Sequence, residues 1–239
     1  MAVYSDNKID EDWNKVLPIL LQIRSGGPGF EKSEIKMLKD LHSYLYGLAI
    51  WSSRLCDISP SGKPYLDSLA VSGVHILSQV ALGSKRGASL FMRSMIEDAL
   101  RYAYFKDHPI EFIKGNSAEK WYVGFEELHI YLNTHPLLDE SAVKWDICAR
   151  LKSEYSMLSE WVHARTVDHL DIGTTLSDIN FSVENLSFTL NSIKNMVPSI
   201  HLLMICLNSK DLRCIIDSEY RIIRRHLPSA ARKLLTRLE

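Results

Sequence analysis

The feature that most restricts how this chain can fold is the spacing of its apolar residues, which return every three or four positions in one segment after another. Residues 10–24 carry Trp13, Val16, Leu17, Leu20 and Leu21 at that interval, with acidic residues in the first turn, where they favour a helix start. Residues 33–55 follow with Ile35, Leu38, Leu41, Leu45, Leu48 and Ala49, and Ser33 is placed to cap them. The pattern recurs over residues 65–82, 85–107 and 118–132, then from Asp139 or Ser141 to residue 163, and again over 183–203 and 212–238. Glycine and proline clusters at 25–29, 59–64 and 83–87 punctuate it, and Pro109 disfavours helical geometry in the residue before it. Alternating strand patterns, hairpin dipeptides and a strand-to-helix glycine fingerprint are all missing from the sequence. The expected fold is therefore all-α, a compact multi-helix bundle and not a solenoid because no 20- to 50-residue period repeats, and it is taken as one domain over residues 1–239 because the candidate boundaries at 109–117 and 170–180 lack the composition of a flexible linker. Pro198 is expected to kink or break the helix that contains it, and residues 170–180 to form a long loop of the kind that carries function.

A hydrophobic fraction of 46% suffices for a substantial core, and a net charge of -1 gives the whole molecule no general attraction to nucleic acid or membrane. The longest apolar run, residues 196–207, is interrupted by Pro198, Ser199 and His201 and is shorter than the roughly 20 residues that cross a bilayer. With a polar, acidic N-terminus, this predicts a cytoplasmic protein with no membrane partner. Cys56, Cys148, Cys206 and Cys214 lie far apart, which argues against zinc or a disulfide framework. His163, Asp168, His169 and Asp171 are close in sequence but lack zinc spacing, so no metal is expected. No cofactor is expected either, since the glycine clusters lack the spacing of a phosphate loop.

The least ordinary stretches are 85–107 and 155–163. At 100° per residue Met92, Ile96, Ala99 and Ala103 share one face of the first, and Arg93, Glu97, Arg101 and Tyr104 form the adjoining stripe. On the second, Leu151, Tyr155, Leu158 and Val162 make an apolar face, with Ser159 and His163 stacked at its edge. If the two edges meet, Arg93, Glu97, Ser159 and His163 form a polar centre that either fixes helix docking or contacts a ligand. The simpler alternative is an intrahelical Arg93–Glu97 pair beside a hydrogen-bonded histidine.

The succession Gly87-Ala-Ser-Leu-Phe-Met-Arg-Ser-Met-Ile-Glu-Asp-Ala-Leu-Arg101, followed by Tyr155-Ser-Met-Leu-Ser-Glu-Trp-Val-His163, resembles the Arg-Ser-x-x-Glu and Tyr-x-x-Leu-Ser-x-x-x-His helices of HEPN-like helical families. Such families occur in prokaryotic toxin, antiphage and other conflict systems, and the resemblance covers about residues 65–169. In their nuclease branch a catalytic Arg is followed after four to six residues by a His at a dimer interface, where the pair acts on RNA. Here Arg165-Thr-Val-Asp-His169 has only three intervening residues, which departs from that pattern while placing both side chains on one face if the segment is helical. The resemblance implies a non-catalytic accessory or assembly subunit working beside a nuclease or ATPase subunit. Its alternative is a metal-independent ribonuclease, acting as a homodimer, in which Arg165 stabilises phosphate charge and His169 or His163 moves a proton. A third reading, a nucleic-acid-binding regulator, rests on the basic C-terminal segment 212–239, where Arg221, Arg224, Arg225, Arg232 and Lys233 stand among isoleucines and leucines. That segment is equally able to be a solvated helix face or to dock on a partner helix.

Overall fold

The computed structural model describes residues 3–24, 29–55, 59–117, 122–138, 146–169, 180–229, 231 and 232, without the side chains of residues 3–6 and Asp168. The α-helices among these are α1 (Val3–Ile23), α2 (Lys32–Arg54), α3 (Lys63–Leu82), α4 (Lys85–Asp107), α5 (Pro109–Ser117), α6 (Phe125–Asn133), α7 (Ile147–Val162), α8 (Val183–Leu207) and α9 (Asp217–Arg225). Short 3-10 turns lie at Val167–His169 and Leu212–Cys214, and the described residues contain no strand, so the all-α bundle read from the periodicity is the fold observed.

The ends of these helices follow local chemistry. Ser84 caps α4 by accepting the Gly87 N–H at 3.0 Å, and Ser182 caps α8 by accepting from Glu184 and Asn185. The start of α2 differs from expectation: Ser33 lies inside the helix, and Glu31 takes the capping position, its N–H donating to Glu34 Oε2 at 2.8 Å. Gly83 ends α3 at φ +83°, and a Cβ there would stand 2.1 Å from the Asn180 carbonyl oxygen, so both the backbone angle and the close approach require glycine. Pro109 ends α4 as expected but also begins α5, where a missing N–H costs nothing. The segment predicted as a helix over 118–132 is helical only from Phe125, with residues 118–121 outside the described part.

α4 is the organising helix. It packs along α3 and α7 and also touches α6 and α8, while α2 bridges α3 to α8. Met92, Ile96, Ala99 and Ala103 are fully buried, as their shared face predicts, and the buried apolar residues form one continuous cluster from Ile9 to Ala231. Of the kink or break expected at Pro198, no break occurs, and α8 is one helix on both sides of it. Burial of Met196, Val197, Ile200 and Leu203 on successive turns holds the helix together across the lost hydrogen bond. α3 and α8 are each long and apolar enough by composition to cross a membrane, but 78% of the α8 window is buried inside the bundle, so core packing accounts for its apolarity. The corresponding α3 window is 44% buried, with Val71 and Val74 exposed.

The described part of the C-terminal segment, up to residue 232, is part of this bundle. Ile222, Ile223 and Leu227 are buried where α9 meets α1 and α2, so these apolar residues are used inside the chain. Arg54 on α2 clamps α9 by donating from Nε and Nη2 to the two oxygens of Glu219 at 2.7 and 2.8 Å.

Candidate functional site

The charged stripe of α4 meets α7, as its position beside the core predicts, but the group that answers it is Tyr155. Arg93 Nη2 donates to the Tyr155 hydroxyl, and that hydroxyl donates to Glu97 Oε1 at 3.0 Å. Arg93 and Arg101, one turn to either side of Glu97, each pair with it at 3.1 Å. The side chains of Arg93, Glu97 and Arg101 are 23%, 18% and 29% exposed, placing the network at the rim of the core with access to solvent. Phe125 of α6 lies flat on Tyr155, with ring centroids 3.5 Å apart and planes 4° from parallel, and the Arg93 guanidinium covers the ring at 4.7 Å. Burial and the charge of Glu97 raise the Tyr155 pKa, so the phenol stays a donor at neutral pH. The arrangement is a brace across three helices, in which Arg93 Nη2, the Tyr155 hydroxyl and Glu97 bond in series while Arg93 Nε is buried without a hydrogen-bond partner.

Ser159 and His163 do not join it. The Ser159 hydroxyl donates back to the Tyr155 carbonyl at 2.7 Å, the usual recourse of a serine inside a helix, and His163 is exposed at the C-cap of α7. Tyr155, read as part of the apolar face, is instead the polar contact, because its ring packs as an apolar group while its hydroxyl reaches the charged stripe.

Beyond His163 the helix ends in a turn of defined geometry. The Arg165 N–H bonds the Glu160 carbonyl, the Ala164 N–H bonds the Trp161 carbonyl, and Ala164 sits at φ 47°, which together make a Schellman motif. Cations at the start of α4 close the same end: Arg86 Nε donates to the Val162 carbonyl at 3.0 Å, and Lys85 lies over the rings of Trp161 and Phe188. The α-helix thus ends before Arg165 and only a 3-10 turn follows at Val167–His169, so the shared helical face expected for the pair does not form. Arg165 is exposed, whereas His169 is half-buried against Trp161 with its Nδ1 3.1 Å from the Thr166 hydroxyl.

Among the other expected groups, Arg221, Arg225 and Arg232 are exposed, Arg224 is half-buried, and Lys233 lies outside the described residues. Among the described residues no three His, Cys, Asp or Glu side chains gather as metal ligands; Asp171 and the Asp168 side chain are outside them. Cys148, Cys206 and Cys214 form no disulfide among the described residues, and Cys56 is outside the described part.

Polar clusters that the sequence did not announce lie elsewhere. At the far end of α4, Asp107 accepts from Tyr131 at 2.5 Å and from His135 Nε2 at 2.8 Å. Burial opposes ionisation of Asp107, but these hydrogen bonds outweigh it and hold the carboxyl below its usual range. Between α2 and α8, the fully buried His201 accepts from Trp51 Nε1 at 2.9 Å, and His226 is 3.1 Å from the Ser43 hydroxyl. A lone histidine in the apolar run of α8 is the one signal for these contacts, which join His201 to Trp51 across 150 residues of sequence and His226 to Ser43 across 183. Comparison with protein-family models, with characterised proteins and with solved structures returned no match.

Proposed function

We propose that this chain is a non-catalytic helical accessory subunit of a prokaryotic antiphage or conflict-system complex, a HEPN-like bundle that acts through protein contacts. The motif resemblance supports the setting, and the use of Arg93, Glu97 and Tyr155 as a brace between helices supports a structural role for the motifs that carry it. The observation that carries the assembly reading is the exposure of large aliphatic side chains on α5, on α6 and just after it. Ile110 and Ile113, one turn apart on α5, are each 67% exposed, and Ile130 and Leu137 are more than half exposed. α5 has no buried residue, so its aliphatic side chains do not serve this chain's own core.

The test is co-expression with the products of neighbouring genes, with complex mass measured by light scattering on a sizing column. A stable complex that Ile110→Glu with Ile113→Glu dissolves, at unchanged folding, is the expected result. Metal-independent cleavage of RNA by the purified chain, abolished by Arg165→Ala or His169→Ala, overturns it in favour of the ribonuclease. The exposed Arg221 and Arg225, four residues apart on α9, favour nucleic-acid binding as the second reading. Steeply salt-dependent DNA binding, lost in Arg221→Ala with Arg225→Ala, is its signature.

A further inference from the structure

We propose that a cleft between α1, α2 and α3 binds a small aromatic molecule carrying one hydrogen-bond donor, with the ring among aliphatic side chains and the donor directed to His42. The cleft encloses about 170 Å³ and is lined mainly by apolar groups, among them Leu20 of α1, Leu45 of α2 and Leu77 of α3. An apolar cavity of about 150 Å³ is enough to hold benzene, and most drug-sized ligands need roughly twice that or more, so the size selects a single ring or a compact bicycle. Ile19 and Val74, which line it, are 55% and 64% exposed, so it opens to solvent.

The lining has one polar feature that the fold does not satisfy. The His42 side chain is 4% exposed and its Nε2 lies 2.7 Å from Asp12 Oδ2. A carboxylate can only accept, so the imidazole proton sits on Nε2 and Nδ1 is left as an acceptor. That Nδ1 is buried and has no hydrogen-bond partner. Burial outweighs the pull of Asp12 and lowers the His42 pKa, which keeps the ring neutral and the lone pair available at neutral pH. A phenolic O–H or an indole N–H supplies the missing donor, and the rest of such a molecule matches the apolar lining. Because Nδ1 is closed to solvent in this structure, the contact requires the His42 ring to turn toward the cleft. A plain hydrocarbon fills the same space and leaves Nδ1 as it is. This inference stands apart from the proposed assembly role, which rests on α5 and α6.

The full chain is titrated with phenol and with toluene while methyl resonances of Ile19, Leu45 and Val74 and the imidazole nitrogen resonances of His42 are followed by NMR. Both probes are expected to shift the methyl resonances saturably, and only phenol to move the His42 Nδ1 resonance. Ala70→Leu, which places a larger side chain in the cleft, is expected to abolish both titrations. His42→Phe is expected to weaken phenol about tenfold and to leave toluene within about twofold. The inference is overturned if the cleft methyl resonances stay fixed, if Ala70→Leu leaves binding intact, or if phenol and toluene act alike on His42 in the unaltered protein. The last comparison needs no variant and holds even if His42→Phe fails to fold.

Discussion

Acid should destabilise this protein before most of its carboxylates titrate, chiefly through two of the histidines that the fold keeps neutral. His201 is fully buried, and because the Trp51 indole only donates, His201 Nδ1 must be the acceptor and its proton must sit on Nε2. That Nε2 faces Gly47, where a Cβ would approach to 3.0 Å. A second proton would have to enter at Nδ1 and break the Trp51 bond. Burial, reinforced by His226, drives the His201 pKa well below its ordinary value, and burial with the charge of Arg225 pushes His226 down to about 3. Both pKa values are depressed in the folded state, so the stability they represent is present above the unfolded value near 6.5 and is lost as pH falls below it. Between pH 7.5 and 5.5 the unfolded chain takes up most of two extra protons, which costs the folded state about 3 kcal/mol. Asp98 works the other way. Burial raises its pKa to about 6, so its contribution is favourable at low pH and is lost as pH rises through that value, returning about 1 kcal/mol over the same interval. The net expectation is a loss of about 2 kcal/mol, a large share of the stability of an ordinary domain. Urea unfolding followed by tryptophan fluorescence at pH 7.5, 6.5 and 5.5 measures it directly. His201→Gln, whose amide oxygen can accept from Trp51 but does not titrate, should reduce the histidine part of the pH dependence by about half. An unfolding free energy equal at pH 7.5 and 5.5, or an unaltered slope in His201→Gln, would refute the reasoning.

Other expectations follow from single contacts. Asp98→Asn keeps an acceptor for the Ser68 hydroxyl while removing a buried charge, and should stabilise the protein by about 1–2 kcal/mol at pH 7.5 with little effect at pH 4, as read by urea midpoints. Tyr155→Phe retains the stack on Phe125 but deletes the hydroxyl between Arg93 and Glu97, and should cost about 1–2 kcal/mol; a change within error would mean that the brace is only packing. Ala164→Gly relieves a left-handed alanine and should raise stability by about 1 kcal/mol, seen as a higher melting temperature. Gly47→Ala places a methyl group 3.0 Å from the His201 ring and should cost about 1–3 kcal/mol in the same assay.

Most of the architecture was legible because helical periodicity is local. The face of α4 with Met92, Ile96, Ala99 and Ala103 and the Arg93 to Arg101 stripe depend on residues within a turn or two of one another. One miss was local: Ser33 looked like a cap, but Glu31 and Glu34 close the turn around it. Elsewhere the missing information was non-local, as at Pro198, where the burial that carries α8 through without a break comes from other helices. The Arg165 and His169 pair would share a face only on a continuous helix. What ends that helix is the left-handed Ala164 together with Arg86, whose bond to the Val162 carbonyl crosses 76 residues.

The candidate site divides along the same line. By itself the sequence determined that α4 carries a charged stripe beside an apolar face, since spacing along one helix sets which side chains lie together. Only the tertiary structure decided that the stripe is answered by the Tyr155 hydroxyl and not by Ser159 and His163. The rotation of α7 about its own axis is set by the Phe125 stack and by the packing of Leu151 and Leu158 into the core, and a rotation of this kind moves one polar group to the partner helix while turning another to solvent.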